Sequence, residues 1–268
     1  MILESEAIEC AALEDLHAAA TAEEREALGL RTRRLGSALV SIGARLPAAA
    51  IAVNRTVGLG LAQPATPADA ADIAGAYRAA GVTRYFVQLA PHAQPAAVGA
   101  WLEAAGLRKA RAWQKFERAR EPVAERPTDL DIRLVGPEHG GGFAEIVCAA
   151  FDLGDAAIPW LRRIPGRPGW HVYMSFDRGR PAGVGAMYVR DGHAWLDFGA
   201  TRPEYRGRGS QGAIVVQRVR LALALGCRKI YTCTGVEIPG DPQHSYKNIL
   251  RVGFRETYVR DNYAPPKD

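Results

Sequence analysis

The chain has 268 residues, of which 48% are hydrophobic and 24% are charged, and its formal net charge is +5. This composition is typical of a globular protein with one or two domains, and it excludes a disordered or fibrous chain. No apolar run reaches the roughly 18 residues that a membrane-spanning helix needs. The start of the chain is acidic where a signal peptide would be basic, so we expect a cytoplasmic protein with no membrane partner.

The cysteine and arginine patterns argue against several further classes of protein. Neither a disulfide framework nor a metal site is predicted, because no CxxC pair occurs among Cys10, Cys148, Cys227 and Cys233. The basic balance suits an anionic ligand. The arginines are spread along the chain and do not alternate with aromatic residues, which argues against a nucleic acid as the partner. No motif bears on the oligomeric state.

The predicted elements of the first half alternate between strand and helix. Residues 66–81 are predicted to form a helix, because Thr66 can cap its start and Pro67 suits its first turn. A second helix is predicted at residues 95–106. Apolar runs predict strands at residues 48–62, 82–90 and 108–119. The resulting order is β-α-β-α-β.

The second half repeats this order. Its predicted elements are a strand at 192–201, a helix at 210–226, a strand at 227–235, a helix at 245–253 and a strand at 254–264. Gly106 and Gly253 occupy matching places between the last helix and the last strand of each half. The charged segment between the halves contains two prolines and lacks apolar periodicity, as a linker does. We therefore predict two domains, 1–120 and 132–268, joined by a linker at 121–131.

The turn "RPEYRGRGSQG" (202–212) lies between a predicted strand and a long apolar helix. At such a turn several backbone N–H groups lack a partner, and the positive end of the helix dipole favours an anion. Gly207 and Gly209 permit close backbone approach, and Arg206 and Arg208 add positive charge. The turn predicts a phosphate site; the alternative is an ordinary tight turn with solvated arginines.

Two other phosphate-binding motifs can be compared with this turn. The P-loop is excluded, because it requires a lysine followed by Ser or Thr after the last glycine. The dinucleotide fingerprint G-x-G-x-x-G is matched by Gly207, Gly209 and Gly212. That fingerprint needs an acidic residue about 20 positions later, where this chain is basic and the first acidic residue is Glu237. A nucleotide-dependent oxidoreductase is therefore the hypothesis that explains the fewest residues.

The turn resembles the acyl-CoA-binding motif [QR]-x-x-G-x-[GA] of the GNAT superfamily of acetyltransferases. Residues 206–211 (RGRGSQ) match it except that Gln211 replaces the final Gly or Ala, and Thr201-Arg202-Pro203 stands at the family's V-x-P step. The family's second signature, a Gly-Phe pair after a short helix, is matched by Gly253-Phe254. The resemblance covers residues 132–265, and the first half resembles a degenerate copy without the cofactor loop.

The resemblance implies an α/β fold of two tandem GNAT-like domains. Each would be a mixed, mostly antiparallel sheet flanked by helices, with a splayed strand pair for the cofactor in the C-terminal domain. It implies acetyl-CoA as co-substrate and no metal. Gly199 and Thr201 would contact the pantetheine arm. The residues implied to bind the pyrophosphate through their amides are Arg206, Gly207, Arg208, Gly209, Ser210 and Gln211.

A general base is expected on the strand that precedes the turn. Alternation along an extended strand puts on one face the side chains of Trp195, Asp197, Gly199 and Thr201. A carboxylate beside the expected thioester is the first candidate for the base, and this is Asp197; a structural acid is the alternative. Glu237, in the loop after the next strand, is the second candidate.

The acid is less well defined. In the resembling family a tyrosine often acts as the acid, and its position falls on Ile249, so Tyr246 is the nearest phenol. Ser245 and Asn248, three residues apart, share a helix face and are candidates for hydrogen bonds to coenzyme A. Capping of the short helix is the alternative account of Ser245.

These observations favour an acyl-CoA-dependent N-acyltransferase that moves an acetyl group directly to a primary amine of a small molecule. The absent tyrosine motivates the alternative, a non-catalytic acyl-CoA-binding or regulatory module. We expect the acceptor pocket to be formed by residues 151–171, the loop 236–244 and a face of the first domain. Its candidate lining is Phe151, Trp160 and Trp170, with Asp152 and Asp155 to attract a cationic amine. Core aromatics and solvated acids are the alternative.

Overall fold

The computed structural model describes residues 2–240 and 243–266. The chain divides into two compact units: unit 1 is Met1–Gln114 with Tyr258–Asp268, and unit 2 is Lys115–Thr257. These units differ from the predicted domains in three ways. Residues 115–120 belong to unit 2, most of the last strand (from Tyr258 on) belongs to unit 1, and the predicted linker 121–131 lies inside unit 2. The sequence could not indicate this division, because the division reflects which strands pair and not where the composition of the chain changes.

The helices and strands of the described residues follow here in chain order. The helices are α1 (Ile2–Ala18), α2 (Ala22–Leu28), α3 (Pro67–Ala79), α4 (Val98–Ala104), α5 (Gly140–Ala150), α6 (Ile158–Leu161), α7 (Ser210–Ala224) and α8 (His244–Arg251). The strands are β1 (Leu30–Leu35), β2 (Ala38–Gly43), β3 (Arg55–Val57), β4 (Phe86–Leu89), β5 (Arg108–Arg118), β6 (Asp131–Val135), β7 (Trp170–Asp177), β8 (Arg180–Arg190), β9 (His193–Thr201), β10 (Lys229–Gly235) and β11 (Arg255–Ala264). None of these helices is long and apolar enough to cross a membrane.

Unit 1 is a mixed sheet with the strand order β1-β2-β3-β4-β11-β5. Strands β5 and β11 are each divided between the units: residues 108–114 and 258–264 belong to unit 1, and residues 115–118 and 255–257 belong to unit 2. Strands β3 and β4 are parallel, whereas β1–β2, β2–β3 and β4–β11 are antiparallel. The predicted helix at 66–81 is confirmed: Thr66 caps α3 and exchanges hydrogen bonds with Asp69, and Pro67 is its first residue. One core of unit 1 joins α3 and α4 to the sheet through Ile73, Tyr77, Leu102, Val40 and Val87.

The first half also departs from the predicted elements. Of the strand predicted at 48–62, only Arg55–Val57 is extended. Backbone hydrogen bonds from Val53 and Asn54 to Ala50 form turns before it, and Gly58 leaves the strand with a φ of 84°. Helices α1 and α2 and strands β1 and β2 were not predicted. A local signal for α2 exists in the T-x-x-E capping box that begins at Thr21.

Unit 2 has the strand order β6-β7-β8-β9-β10-β5-β11. Strands β9 and β10 are parallel, and the β6–β7, β7–β8 and β8–β9 pairs are antiparallel. Helix α7 covers one face, where Val216 and Val219 pack with Met187 and Leu196. The alternate side chains, such as Trp195, point to the opposite face. The predicted class, a mixed and mostly antiparallel sheet flanked by helices, is confirmed for both units.

Strand β9 contains a bulge that the sequence analysis missed. It pairs with β8 through Tyr188↔Trp195, Ala186↔Asp197 and Val184↔Ala200, so one extra residue of β9 lies opposite Gly185. Phe198 has a φ of 46°, a left-handed conformation that is uncommon for a non-glycine residue. The predicted alternation is therefore wrong beyond Asp197. Ala200 continues the face of Asp197, and Thr201 belongs to the α7 face.

Candidate functional site

The parallel strands β9 and β10 pair along only part of their length. Their register joins Lys229↔His193, Ile230↔Ala194 and Tyr231↔Trp195. One residue later the Thr232 hydroxyl donates to the Leu196 carbonyl at 3.0 Å. Among the described residues no main-chain pair follows, although β9 continues to Thr201 and β10 to Gly235. The predicted splayed strand pair is therefore present, and it opens beside the bulge.

The loop after β9 leads directly into α7. Gly207 and Gly209 have φ values of 80° and 82°, which glycine adopts without strain. The helical hydrogen-bond ladder begins with the bond from the Ala213 amide to the Gly209 carbonyl at 3.0 Å. The amides of Ser210 and Gln211 precede that bond and have no acceptor within the helix. An anion at this end of α7 would meet those amides and the positive end of the helix dipole.

The two loop arginines differ in their surroundings. Arg206 is exposed, and no ion pair to it occurs within residues 2–240 and 243–266. Arg208 is half-buried and donates to Asp129 at 3.0 Å and to Asp177 at 3.2 Å. The hydrogen bonds from Arg208 lower the pKa of both carboxyls. The charge of Arg208 is therefore already balanced by the protein, whereas that of Arg206 faces solvent.

The predicted linker covers part of this loop. The Thr128 hydroxyl donates to the Arg208 carbonyl at 2.7 Å. A Cβ added to Gly209 would lie 2.2 Å from the Pro127 carbonyl oxygen, so only glycine fits against this segment. Glu125 also forms an ion pair with Arg220 of α7. Residues 121–131 are thus a packed part of unit 2, and no spacing in the sequence indicated these contacts.

The side chain of Ser210 is not available to a ligand. Ser210 is 2% exposed, and its hydroxyl lies 2.8 Å from the Ser175 hydroxyl of β7. Gly183 of β8 makes room for it, since a Cβ there would lie 2.5 Å from the Ser210 hydroxyl oxygen. Any contact of Ser210 with a phosphate would therefore use its backbone amide.

Gln211, the residue that departs from the resembling motif, joins α7 to α8. Its side-chain amide donates to the Ser245 hydroxyl at 3.0 Å and accepts from the Asn248 side chain at 2.8 Å. The structure thus brings together three residues that were predicted to contact coenzyme A. Ser245 does not cap α8, because the helix begins at His244 and has no side-chain cap bond. The capping alternative is wrong.

Asp197 is half-buried and held by two hydrogen bonds. One carboxylate oxygen accepts from the Trp195 indole at 3.1 Å and the other from the Phe198 amide at 2.9 Å. The carboxylate is therefore fixed at the residue where β9 bulges. Its main-chain oxygen accepts a third bond, from the buried Arg218 of α7, at 3.0 Å. Sequence reasoning missed Arg218, because the sequence does not distinguish it from the exposed Arg220 of the same helix and no motif marks it.

The other candidates for the general acid and base lie in α8 and in the loop that precedes it. Tyr246 is buried, its ring packs on Phe116 at 5.0 Å, and its hydroxyl donates to Glu256 at 2.5 Å. Burial, and then the hydrogen bond and charge of Glu256, raise the pKa of Tyr246. Glu237 is exposed in the loop after β10, and its charge adds to that effect. Ile249 is buried in the core that includes α7.

The predicted acceptor region is aromatic. Phe198, at the bulge, contacts Phe151 at 5.5 Å and Trp170 at 6.5 Å between ring centroids. Asp152 is exposed, as is Asp155. Trp160 is fully buried and Trp170 is 3% exposed, so both belong to the core and their predicted place in a pocket lining is wrong; Phe151 is half-buried. In the predicted loop 236–244, positions 241 and 242 lie outside the described residues.

Unit 1 contains a strand-helix-strand unit that corresponds to β9, α7 and β10, but its backbone groups are bonded within the chain. Its parallel strands β3 and β4 and the helix α3 have the same order as β9, β10 and α7. The Gln94 amide donates to the Gly60 carbonyl, and the Ala65 amide donates to the Gln94 carbonyl, both at 2.7 Å. The α3 terminus carries the Asp69 carboxylate of its capping box. The chain itself uses these backbone groups, and a negative charge stands where a phosphate would bind.

Comparisons with known proteins agree on the fold. No protein-family model matches the sequence, and no curated protein sequence matches it. Among solved structures, a GCN5-related N-acetyltransferase from Kribbella flavida is 15% identical, with a TM-score of 0.63 over 95% of both chains. A GNAT-family acetyltransferase from Novosphingobium aromaticivorans is 16% identical, with a TM-score of 0.54 over 88% of this chain and 92% of that one.

A tandem GNAT protein from the clavulanic acid biosynthesis pathway is also similar. It is 16% identical, with a TM-score of 0.51 over 80% of this chain and 76% of its own. The chain therefore has the fold of the GNAT superfamily in a tandem arrangement. At these identities the likeness concerns the fold, and a shared fold does not fix the activity.

Proposed function

We propose that unit 2 is an acyl-CoA-dependent N-acyltransferase that moves an acetyl group from acetyl-CoA to a primary amine. The observation that carries this proposal is the geometry of β9 and β10, which stop pairing after Trp195↔Tyr231 beside a bulge and a glycine-rich helix start. Unpaired main-chain groups of a strand can pair with an extended ligand. The pantetheine arm contains amides that suit such pairing.

The residues of this site fit acetyl-CoA. Gly199 and Thr201 lie in the part of β9 that pairs with β8 but no longer with β10, and they would bond the pantetheine arm through their main chain. The amides of residues 206–211 and the exposed Arg206 side chain would bind the pyrophosphate. A Cβ added to Gly207 would meet nothing within 4 Å, so the loop has open space on that side. Ser245 and Asn248, held by Gln211, would bond coenzyme A from α8.

Acetyl-CoA would supply an activated acyl group, and the chain's own residues would position and deprotonate the amine. Asp197 would accept a proton from the incoming ammonium or amine, as its fixed position at the bulge permits. The amine nitrogen then forms the new bond to the acyl carbon as the carbon–sulfur bond breaks. Tyr246 would return a proton to the sulfur, after exchanging its bond to Glu256. Glu237 is the second candidate for the base.

We propose a small-molecule amine as the acceptor, bound beside the half-buried Phe151, whose ring packs on the buried Phe198. The exposed Asp152 and Asp155 would favour a cationic amine. We also propose that the protein works in the cytoplasm, where its cysteines stay reduced; all four are free in the structure. We propose a transfer that uses no metal.

Two observations favour a second candidate, a non-catalytic acyl-CoA-binding module. The family's usual acid position holds Ile249, which is buried, and the hydroxyl of Tyr246 already donates to Glu256. In either case we propose that unit 1 does not bind coenzyme A, because Gln94 and Asp69 use the corresponding groups.

Calorimetric titration of the full chain with acetyl-CoA tests the binding step, with a parallel titration of NADH. Saturable binding of acetyl-CoA alone is expected. Release of free thiol in the presence of a panel of primary amines then separates turnover from binding alone. Asp197→Asn should abolish thiol release while leaving acetyl-CoA binding intact, and Asp72→Asn, at an exposed position of α3 in unit 1, should leave both unchanged. Failure to bind acetyl-CoA would overturn both candidates, and saturable NADH binding would favour the oxidoreductase.

A further inference from the structure

Helix α7 carries a charged side chain into the interior of unit 2. Arg218 is 3% exposed, and the residues around it on α7, such as Ile214 and Val219, are aliphatic and buried. Burying a guanidinium costs free energy unless its donors are satisfied and its charge is balanced. The contacts of Arg218 must therefore satisfy its donors inside unit 2.

One nitrogen of Arg218 joins the two strands at the bulge. Its Nη1 atom donates to the Ala186 carbonyl at 2.7 Å and to the Asp197 carbonyl at 3.0 Å. Ala186 and Asp197 form the last β8–β9 pair before the extra residue of β9. The bond therefore holds the bulge at the point where its register changes. Two residues earlier, Trp195 forms the last main-chain pair with β10.

Glycines on both sides make room for the guanidinium. A Cβ added to Gly185, which lies opposite the bulge, would be 2.8 Å from Cζ and 2.9 Å from Nε of Arg218. A Cβ added to Gly199 would be 3.7 Å from its Nη2 atom. Arg218 therefore fills the space beneath the bulge and reaches Gly199, a residue proposed to contact the pantetheine arm.

Arg218 remains charged at this position. Burial lowers its pKa to about 10, and the charge of Asp197 opposes that shift. The guanidinium is thus protonated at neutral pH and lies in a medium of low dielectric constant, where a fixed charge acts strongly on nearby groups. Its Nε atom is buried with no hydrogen-bond partner among the described residues.

We propose that Arg218 is a positioning residue for acyl transfer. It fixes the bulge that presents the main chain of Phe198 and Gly199 to the thioester, and its charge favours the negative charge that develops on the thioester oxygen. This inference rests on the proposed function. If Arg218 only satisfied two strand carbonyls, its loss would lower stability and acetyl-CoA affinity together, without a separate effect on the chemical step.

The test compares Arg218→Gln and Arg218→Lys with the wild-type full chain, using acetyl-CoA and the best amine of the panel. In Arg218→Gln we expect kcat to fall about 100-fold, the scale of one lost oxyanion-stabilising donor, while the Kd for acetyl-CoA stays within about threefold. Arg218→Lys, which keeps the charge, should recover about tenfold of that loss. A kcat within about threefold of wild type in both variants, or equal losses in kcat and affinity, would overturn the inference.

A second readout needs no folded variant and no acceptor amine. The carbonyl stretch of acetyl-CoA labelled with carbon-13 at the acyl carbon is measured by infrared difference spectroscopy, bound to the wild-type protein and free in water. A positive charge near the oxygen weakens the carbonyl bond, so the bound stretch should move to lower wavenumber. An unchanged stretch overturns the inference alone. Absence of acetyl-CoA binding by the wild-type protein overturns the proposed function and the inference with it.

Discussion

The guanidinium of Arg208 and the carboxylate of Asp129 face each other through three hydrogen bonds, although 79 residues separate them in the chain. Asp177 adds a further carboxylate at 3.2 Å. These contacts make the two arginines of the glycine-rich loop unequal, because Arg206 is exposed and Arg208 is bound to carboxylates. The pair therefore offers a matched test of which arginine serves a ligand.

Arg206→Ala should weaken acetyl-CoA binding about tenfold, because it removes a cation that is available to phosphate. Arg208→Ala should change the Kd by less than about threefold, since that charge is already neutralised by the protein. The measurement is calorimetry at low and at moderate salt, and the Arg206 effect should shrink as salt screens it. The reverse ranking would show that Arg208 leaves its carboxylates to bind the pyrophosphate.

Gly209→Ala and Gly207→Ala form a second matched pair. Both glycines have a left-handed φ near 80°, so each substitution should cost about 1 kcal/mol of backbone strain. Only Gly209 also faces the Pro127 carbonyl, at 2.2 Å from the added Cβ. Gly209→Ala should therefore lower the free energy of unfolding by at least about 1 kcal/mol more than Gly207→Ala, by overpacking. Denaturant titration measures the difference, and equal losses would contradict the packing of residues 121–131 on the loop.

His17 should make the stability of unit 1 depend on pH. It is buried, its Nε2 atom lies 2.8 Å from the Ser41 hydroxyl, and burial lowers its pKa from 6.5 to about 4. The unfolded chain therefore binds the proton more tightly, so this contribution to stability is complete above pH 6.5 and is lost as the pH falls towards 4. The shift corresponds to about 3 kcal/mol.

His17→Gln retains a donor for Ser41 but does not titrate. As the pH is lowered from 6.5 to 4, the free energy of unfolding of this variant should fall less than that of the wild-type protein. The measurement is the free energy of unfolding of both proteins as a function of pH, from denaturant titration. Parallel curves would mean that His17 is not held in its neutral form.

Arg260→Met should destabilise unit 1 strongly. Arg260 is fully buried and donates to Glu6 at 2.9 Å and to Glu9 at 2.6 Å, both of them buried on α1. Removing one partner from a buried ion pair typically costs about 3–5 kcal/mol, because the remaining carboxylates are left in a medium of low dielectric constant.

The control is Arg34→Met, whose ion pair with Glu14 is exposed and should contribute less than about 1 kcal/mol. Denaturant titration compares the two variants. A similar, small loss in both would mean that the Arg260 cluster is solvated in the folded protein.

Local patterns were sufficient for several features of this protein. Thr66, Pro67 and Asp69 mark the start of α3 within four positions, and the glycines of residues 206–211 mark the start of α7. Such signals are readable because a helix start is stabilised by neighbours in the chain. The β-α-β repeat, the splayed strand pair and the tandem fold followed from the same kind of evidence, together with the resemblance of two short motifs.

The features that define the site more finely depend on contacts between distant positions. The bulge at Phe198 shifts the register of β9 by one residue, which no alternation of residues in the strand indicates. The carboxylates around Arg208, the Gln211 bonds to α8 and the burial of Arg218 each join elements far apart in the sequence. The sequence by itself determined where α7 begins after its glycine-rich turn, because that depends on neighbouring residues. Only the tertiary structure decided which charges remain available to a ligand, because charges are balanced through space.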